Sequence, residues 1–120
     1  MRKTKQRGVI RGLVLRTDRP LDKDEILRQA KLQVPTIGDS TVYRILREMQ
    51  EDGTALVLTG PGNRLYYESA SWPRHHHGFC RTCWRAFCVH VFIDVRAMVP
   101  PDFVLEGQEL QLYGCCQECR

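Results

Sequence analysis

Residues 74 to 83 read RHHHGFCRTC, three consecutive histidines followed closely by a Cys-x-x-Cys pair. Imidazole and thiolate side chains grouped this way are ligands for transition metals. A two-residue spacing lets both sulfurs of a tight turn face one ion. A second such pair, Cys116 and Cys119, supplies the other half of a tetrahedral, all-thiolate zinc site. The 32 residues between Cys83 and Cys116 exceed the spacing of a compact zinc ribbon, so the ion is expected to staple the start of this half of the chain to its end. Cys115 sits beside Cys116 and could replace it. The two-residue spacing favours Cys116 and leaves Cys88 and Cys115 outside the set.

The elements that must position these ligands are set by a chain of 120 residues, 42% of them hydrophobic, which is enough for one ordinary domain or two small ones with a buried core. No apolar run approaches the roughly 18 residues of a membrane span, and the N-terminal stretch VIRGLVL is interrupted by Arg11. Neither a span nor a signal-peptide core is expected, which points to the cytoplasm and to cysteines used as ligands rather than disulfides. Charge is divided unevenly. Residues 1 to 60 carry 12 Lys and Arg against 8 Asp and Glu, and residues 61 to 120 carry 6 against 6. All of the excess positive charge lies in the first half and all six cysteines and four histidines in the second, which suggests a polyanion-binding half joined to a metal-binding half.

Apolar residues at helical spacing, Val9, Ile10, Leu13 and Val14, predict a basic amphipathic helix from Gln6 to about Thr17. A second helix is expected to start at Asp22, with Glu25 completing a capping box. The third is the best marked: Asp39 or Ser40 as cap, a stripe of Val42, Ile45, Leu46 and Met49, and Gly53 as a left-handed stop. Its opposite face gathers Ser40, Tyr43, Arg44 and Arg47. The β-leaning runs TALVLT and NRLYYES meet at Gly60-Pro61-Gly62-Asn63, a hairpin. Three helices and a hairpin make a winged helix-turn-helix. Beyond the hinge-like SASWPR, strands are expected at His77 to Cys80 and Ala86 to Val89, a helical turn or two around Val91 to Val99, and a longer strand from Phe103 to Tyr113.

TKQR before the first helix, STVYRIL in the third, HHHGFCRTC and LQLYGCCQEC together resemble the successive signatures of the ferric uptake regulator family of metal-sensing repressors. The resemblance spans nearly the whole chain. It implies an α/β (α+β) architecture: a winged-helix DNA-binding domain over residues 1–69, a hinge over 70–75, and a small α/β metal-binding dimerisation domain over 76–120 with a four-cysteine structural zinc. It also implies a homodimer that binds a palindromic double-stranded DNA operator. Thr41, Tyr43 and Arg44 match the recognition positions, in agreement with the helical wheel for the last two. Tyr43 could stack on a thymine methyl and Arg44 or Arg47 pair with a guanine edge or phosphate, while Arg2, Lys3, Lys5 and Arg7 add phosphate contacts.

The same resemblance implies a regulatory site of Glu68, His75 and His77. Alternate strand residues share a side, so His75 and His77 converge and His76 faces away. Relatives supply a further histidine before the second helix, where this chain has Pro20 or Leu21, neither able to ligate. Cys88 takes a carboxylate position used by other members, with His90 as the alternative fourth ligand and a merely buried cysteine as the competing reading. A thiolate favours Zn2+ over Fe2+ or Mn2+. A further family site is degraded, since Arg74 and His76 occupy its positions. The expected function is zinc-responsive repression, with iron-responsive or peroxide-sensing regulation as the alternative and, from another class, a zinc-stapled interaction module. No small-molecule substrate and no membrane partner are expected. An enzyme would need a substrate pocket and would leave the basic helix face unexplained.

Overall fold

The computed structural model describes residues 2–73, 75–91 and 93–120, with the side chains of Arg2 and Lys3 outside that set. Helix α1 spans Arg2–Arg16, strand β1 Leu21–Asp22, helix α2 Lys23–Gln33, helix α3 Asp39–Glu51, and the hairpin strands β2 Ala55–Thr59 and β3 Leu65–Ser69. Strands β4 (His76–Cys80), β5 (Ala86–Val89) and β6 (Gln111–Gly114) follow. No described helix is long and apolar enough to cross a membrane.

The three helices pack their apolar stripes together. Ile10, Val14, Ile26, Ala30, Val42, Ile45, Leu46 and Met49 are buried, and Ala55 and Tyr67 of the wing close the core. Asp22 caps α2 through a 2.8 Å hydrogen bond from the Glu25 N–H. The reciprocal half of the capping box is not made: the Glu25 carboxylate, buried beside α2, is held by Arg19 at 2.5 Å instead, since an ion pair outcompetes a second backbone contact. Helix α1 begins at Arg2 rather than Gln6. For α3 the cap is Gly38, in extended conformation with no side-chain bond, and Asp39 is already the first helical residue. The expected Asp39 or Ser40 cap is therefore one or two residues late. Gly53 adopts the left-handed conformation, φ 79°, that ends a helix at low steric cost.

Two three-stranded sheets flank the junction. In the wing the order is β1-β3-β2, and in the C-terminal half β5-β4-β6. Strand β4 runs antiparallel to β5, with His77 opposite Cys88, and parallel to β6, with Cys80 beside Gly114. Parallel pairing brings the ends of β4 and β6, and the cysteine pairs that follow, to one edge.

Two expectations for the C-terminal half are corrected. Among the described residues, which leave out Phe92, the turns around Val91 to Val99 reduce to a single 3₁₀ turn, Arg96–Met98, because Asp94 binds the Arg96 N–H and side chain and Pro100-Pro101 leaves no room for propagation. The strand expected from Phe103 is confined to Gln111–Gly114. Phe103 and Val104 are exposed, and only the last stretch lies beside β4, where a ladder partner exists. Of the hinge-like segment, Arg74 lies outside the described residues, while the Trp72 N–H reaches the Ser69 carbonyl in a turn after β3.

Candidate metal centres and nucleic-acid face

The parallel ladder delivers Cys80, Cys83, Cys116 and Cys119 to one place, their sulfurs all within 4.8 Å of one another. The Cys83 and Cys116 sulfurs are 3.8 Å apart, which is about the edge of a tetrahedron with Zn–S bonds of roughly 2.3 Å. Backbone N–H groups of Cys116 and Cys83 point at Cys80 Sγ, at 3.4 and 3.5 Å, and these bonds hold the Cys80 thiol down at about 5. Cys83 and Cys119 move the other way. Burial pushes Cys83 up, and the shared hydrogen bond with Cys116, aided by burial, pushes Cys119 up. Four crowded thiols resist collective ionisation unless a dication sits among them, so the donor set fits a structural zinc. Arg85 and Glu118 form an ion pair between the two knuckles.

The second cluster lies where the wing meets β4. Glu68, buried near the end of β3, offers one carboxylate oxygen, Oε2, to His75 Nε2 at 3.1 Å and to His77 Nε2 at 3.2 Å. On its other side His75 Nδ1 lies 2.8 Å from the Pro73 carbonyl. A carbonyl only accepts, so Nδ1 carries the hydrogen, and in the neutral ring Nε2 turns a lone pair toward a carboxylate. Two acceptors meet there, and a cation must lie between them, either a proton or a metal. A ring N–H fixed on a backbone carbonyl is also the usual orienting contact of a metal-ligating histidine. Burial opposes ionisation of Glu68, but the two histidines outweigh it and keep its carboxyl below the ordinary value.

Cys88 lies on the same face as His77, its partner across the ladder, and its sulfur is within 4.8 Å of the ligand atoms of Glu68 and His75. Burial, with the charges of Glu68 and Asp18, pushes its thiol up to about 11. His90 stacks near His75, ring centroids 5.4 Å apart, but is exposed. His76 is occupied elsewhere, its Nδ1 accepting from the Leu110 N–H at 3.1 Å. Arg74 lies outside the described residues.

On α3, Ser40, Tyr43, Arg44 and Arg47 are exposed and Thr41 half-buried. Arg47 also pairs with Glu51 at 3.7 Å. Arg7 is tied to Glu48 on α3 at 3.1 Å, so it braces α1 against α3 rather than standing free. The side chains of Arg2 and Lys3 lie outside the described residues.

Three participants were not read from the sequence. The Pro73 carbonyl is a backbone group and leaves no residue-type signal. Asp18 is near enough to Cys88 to raise its pKa, but nothing in its spacing announces this. Trp84 follows Cys83 with φ 65°, a position where glycine would be comfortable, and touches the wing.

A winged helix joined to a small three-stranded half that gathers four cysteine thiols is the build of a metal-responsive transcriptional regulator. The model of the ferric uptake regulator family matches residues 1–94, and the chain belongs to that family, whose members are regulators rather than enzymes. It is 29% identical over 124 residues to the ferric uptake regulation protein of Campylobacter upsaliensis, covering 97% of this chain and 78% of that protein. It is 27% identical over 125 residues to the zinc uptake regulation protein of Mycobacterium tuberculosis, covering 100% of this chain and 95% of that one. The solved zinc-bound manganese uptake regulator shares the fold with TM-score 0.81 at 24% identity, over 97% of this chain and 91% of that one. The structure of FurB from M. tuberculosis, a zinc uptake regulator, matches with TM-score 0.56 at 27% identity, over 99% of this chain and 95% of that one.

Proposed function

We propose that this protein is a zinc-responsive repressor that binds a palindromic operator as a metal-loaded homodimer in the cytoplasm. Residues 1–69 act as the DNA-binding unit, 70–75 as the hinge and 76–120 as the dimerising unit. The observation that carries the reading is that His75 and His77 both meet one Glu68 oxygen, and that the ligand atoms of Glu68, His75 and Cys88 all lie within 4.8 Å of one another, a group that His77 joins through Glu68. Glu68 belongs to the wing, His75 to the end of the hinge, and His77 and Cys88 to the C-terminal half, so an ion held by all four ties wing, hinge and C-terminal half together. Such an ion favours whichever arrangement of the halves brings its ligands together. A set of one carboxylate, two imidazoles and a thiolate suits tetrahedral zinc better than the harder, more highly coordinated Fe2+ or Mn2+. His90 is the alternative fourth ligand.

The four-cysteine zinc is permanent and the second zinc exchanges. On DNA, α3 presents Ser40, Thr41, Tyr43, Arg44 and Arg47 to the major groove, while Arg7 meets a phosphate once released from Glu48. Operator binding titrated with buffered Zn(II), Fe(II) and Mn(II) tests the proposal. Zinc is expected to induce tight binding at the lowest free concentration, and His75→Ala with His77→Ala to abolish the response while one tightly held zinc remains per chain. Equal response to iron, or loss of both zincs together in the double variant, refutes it.

A further inference from the structure

Arg64 is the only lysine or arginine among wing residues 55–69. Its guanidinium is not free. It lies over the Trp84 ring, 5.0 Å from the centroid, and pairs with Asp22 at 3.3 Å and Asp24 at 3.8 Å. Two residues on, the Tyr66 hydroxyl donates to the Trp84 carbonyl at 2.5 Å, and the Tyr66 ring packs on Phe79 of β4, centroids 5.2 Å apart. Gly60, across the hairpin, is pressed so closely that a Cβ would lie 2.6 Å from Tyr66 and 2.7 Å from Phe79. The wing is therefore clasped to the C-terminal half at a place separate from the Glu68 cluster.

Trp84 is the centre of that clasp, and its backbone is held by the metal knuckle. It follows Cys83 directly, its N–H donates to the Cys80 carbonyl at 2.9 Å, and its left-handed φ of 65° is one that a bulky residue adopts only when its surroundings impose it. Both the ring and the carbonyl are spent on the wing. Asp22, in turn, caps α2, so a continuous chain of contacts runs from Cys83 through Trp84 and Arg64 to the first turn of α2.

We propose that Trp84 is a positioning residue for DNA binding: by holding Arg64 and Tyr66 it fixes the wing to the four-cysteine knuckle, so that this centre sets wing geometry as well as the stability of the C-terminal half. The proposal rests on the DNA-binding reading for its effect on affinity, but not for the clasp itself. A half-buried cation–π contact and a hydrogen bond are together large enough to order a hairpin loop.

The test compares the zinc-loaded parent with Trp84→Gly, which suits the left-handed backbone, Trp84→Phe, which keeps a ring, Arg64→Ala and the Trp84→Gly/Arg64→Ala double variant. Hydrogen exchange of wing amides, including Gly60, whose N–H bonds the Arg64 carbonyl at 2.8 Å, reports the clasp without DNA. Trp84→Gly is expected to keep its four-cysteine zinc, lose about tenfold in wing protection and in operator affinity, and lose less on adding Arg64→Ala than the parent does, the remainder being the Asp22 and Asp24 pairs that Arg64 still makes. Trp84→Phe should recover most of both. Unchanged wing protection in Trp84→Gly with zinc retained, or strictly additive effects of the two substitutions on wing protection, overturns the proposal. A parent that fails to bind operator with any metal refutes the functional reading instead, and wing protection still judges the clasp.

Discussion

Replacing Cys88 with alanine tests the fourth ligand through protons rather than through affinity alone. In the metal-free protein burial, reinforced by the charges of Glu68 and Asp18, raises the thiol to about 11. At pH 8, three units lower, about one thiol in a thousand is ionised. A metal ion coordinates thiolate, so binding through Cys88 must expel close to one proton per site. Glu68, held below the ordinary carboxyl value, is already ionised and expels none. The apparent zinc affinity of the parent should therefore rise with pH more steeply than that of Cys88→Ala, by about one further factor of ten per pH unit, or about 1.4 kcal/mol. From pH 7 to pH 9 the ratio of the two affinities should grow about a hundredfold, with the histidine contribution common to both cancelling. Competition with a zinc chelator of known pH dependence, after saturation of the four-cysteine site, measures the two slopes. Calorimetry in buffers of differing ionisation enthalpy counts the proton directly. Parallel slopes would refute the reasoning and move the fourth ligand to His90 or water; His90→Ala is the matched control and should leave the slope unchanged.

Leu46, fully buried at the centre of the three-helix core, should cost about 2–5 kcal/mol on truncation to alanine, and a loss below 1 kcal/mol in denaturant unfolding would show that the core is looser than described. Cys119→Ser should abolish the four-cysteine zinc and with it the hydrogen-exchange protection of β4 and β6, while amides of α2 and α3 stay protected; protection of β6 without zinc would contradict the stapling role. Arg44→Ala should weaken operator binding by about 1–3 kcal/mol and relax preference at one base pair, whereas Lys5→Ala should weaken all sequences alike and reduce the salt slope by about one. In metal-free protein the depressed Glu68 carboxyl adds stability that is fully present above the ordinary carboxyl value of about 4.5 and is lost as pH falls through the folded value, so Glu68→Gln should flatten the acid limb of the unfolding curve; an unchanged acid limb would place the carboxylate outside the histidine pair.

The elements with strong periodicity were legible in the sequence. The α3 stripe, the left-handed Gly53 and the hairpin turn each follow from local rules, and the cysteine pairs announced their own convergence. Glu68, His75 and His77 came from a family resemblance, and their meeting at a single oxygen adds a geometric reason that spacing could not supply. What stayed hidden depended on distant neighbours. Glu25 reads as half of a capping box until Arg19, six residues earlier, takes its carboxylate. Phe103 and Val104 read as strand until it is seen that, among the described residues, no strand lies beside them. Trp84 reads as an ordinary aromatic, and only the fold reveals its contact with a wing arginine twenty positions earlier.

The parallel pairing of β4 with β6 gives the four-cysteine centre one more consequence. Cys80 closes β4 beside Gly114, which closes β6, and the remaining cysteines follow within a few residues. A slip of the ladder by a single residue would carry Cys116 and Cys119 about 3.3 Å along the strand and turn alternate side chains to the wrong face, and the sulfurs would then no longer meet. Zinc captured by all four thiols accepts one alignment of the two strands and rejects its neighbours, so the ion proof-reads the pairing of segments that are remote in sequence as the chain folds.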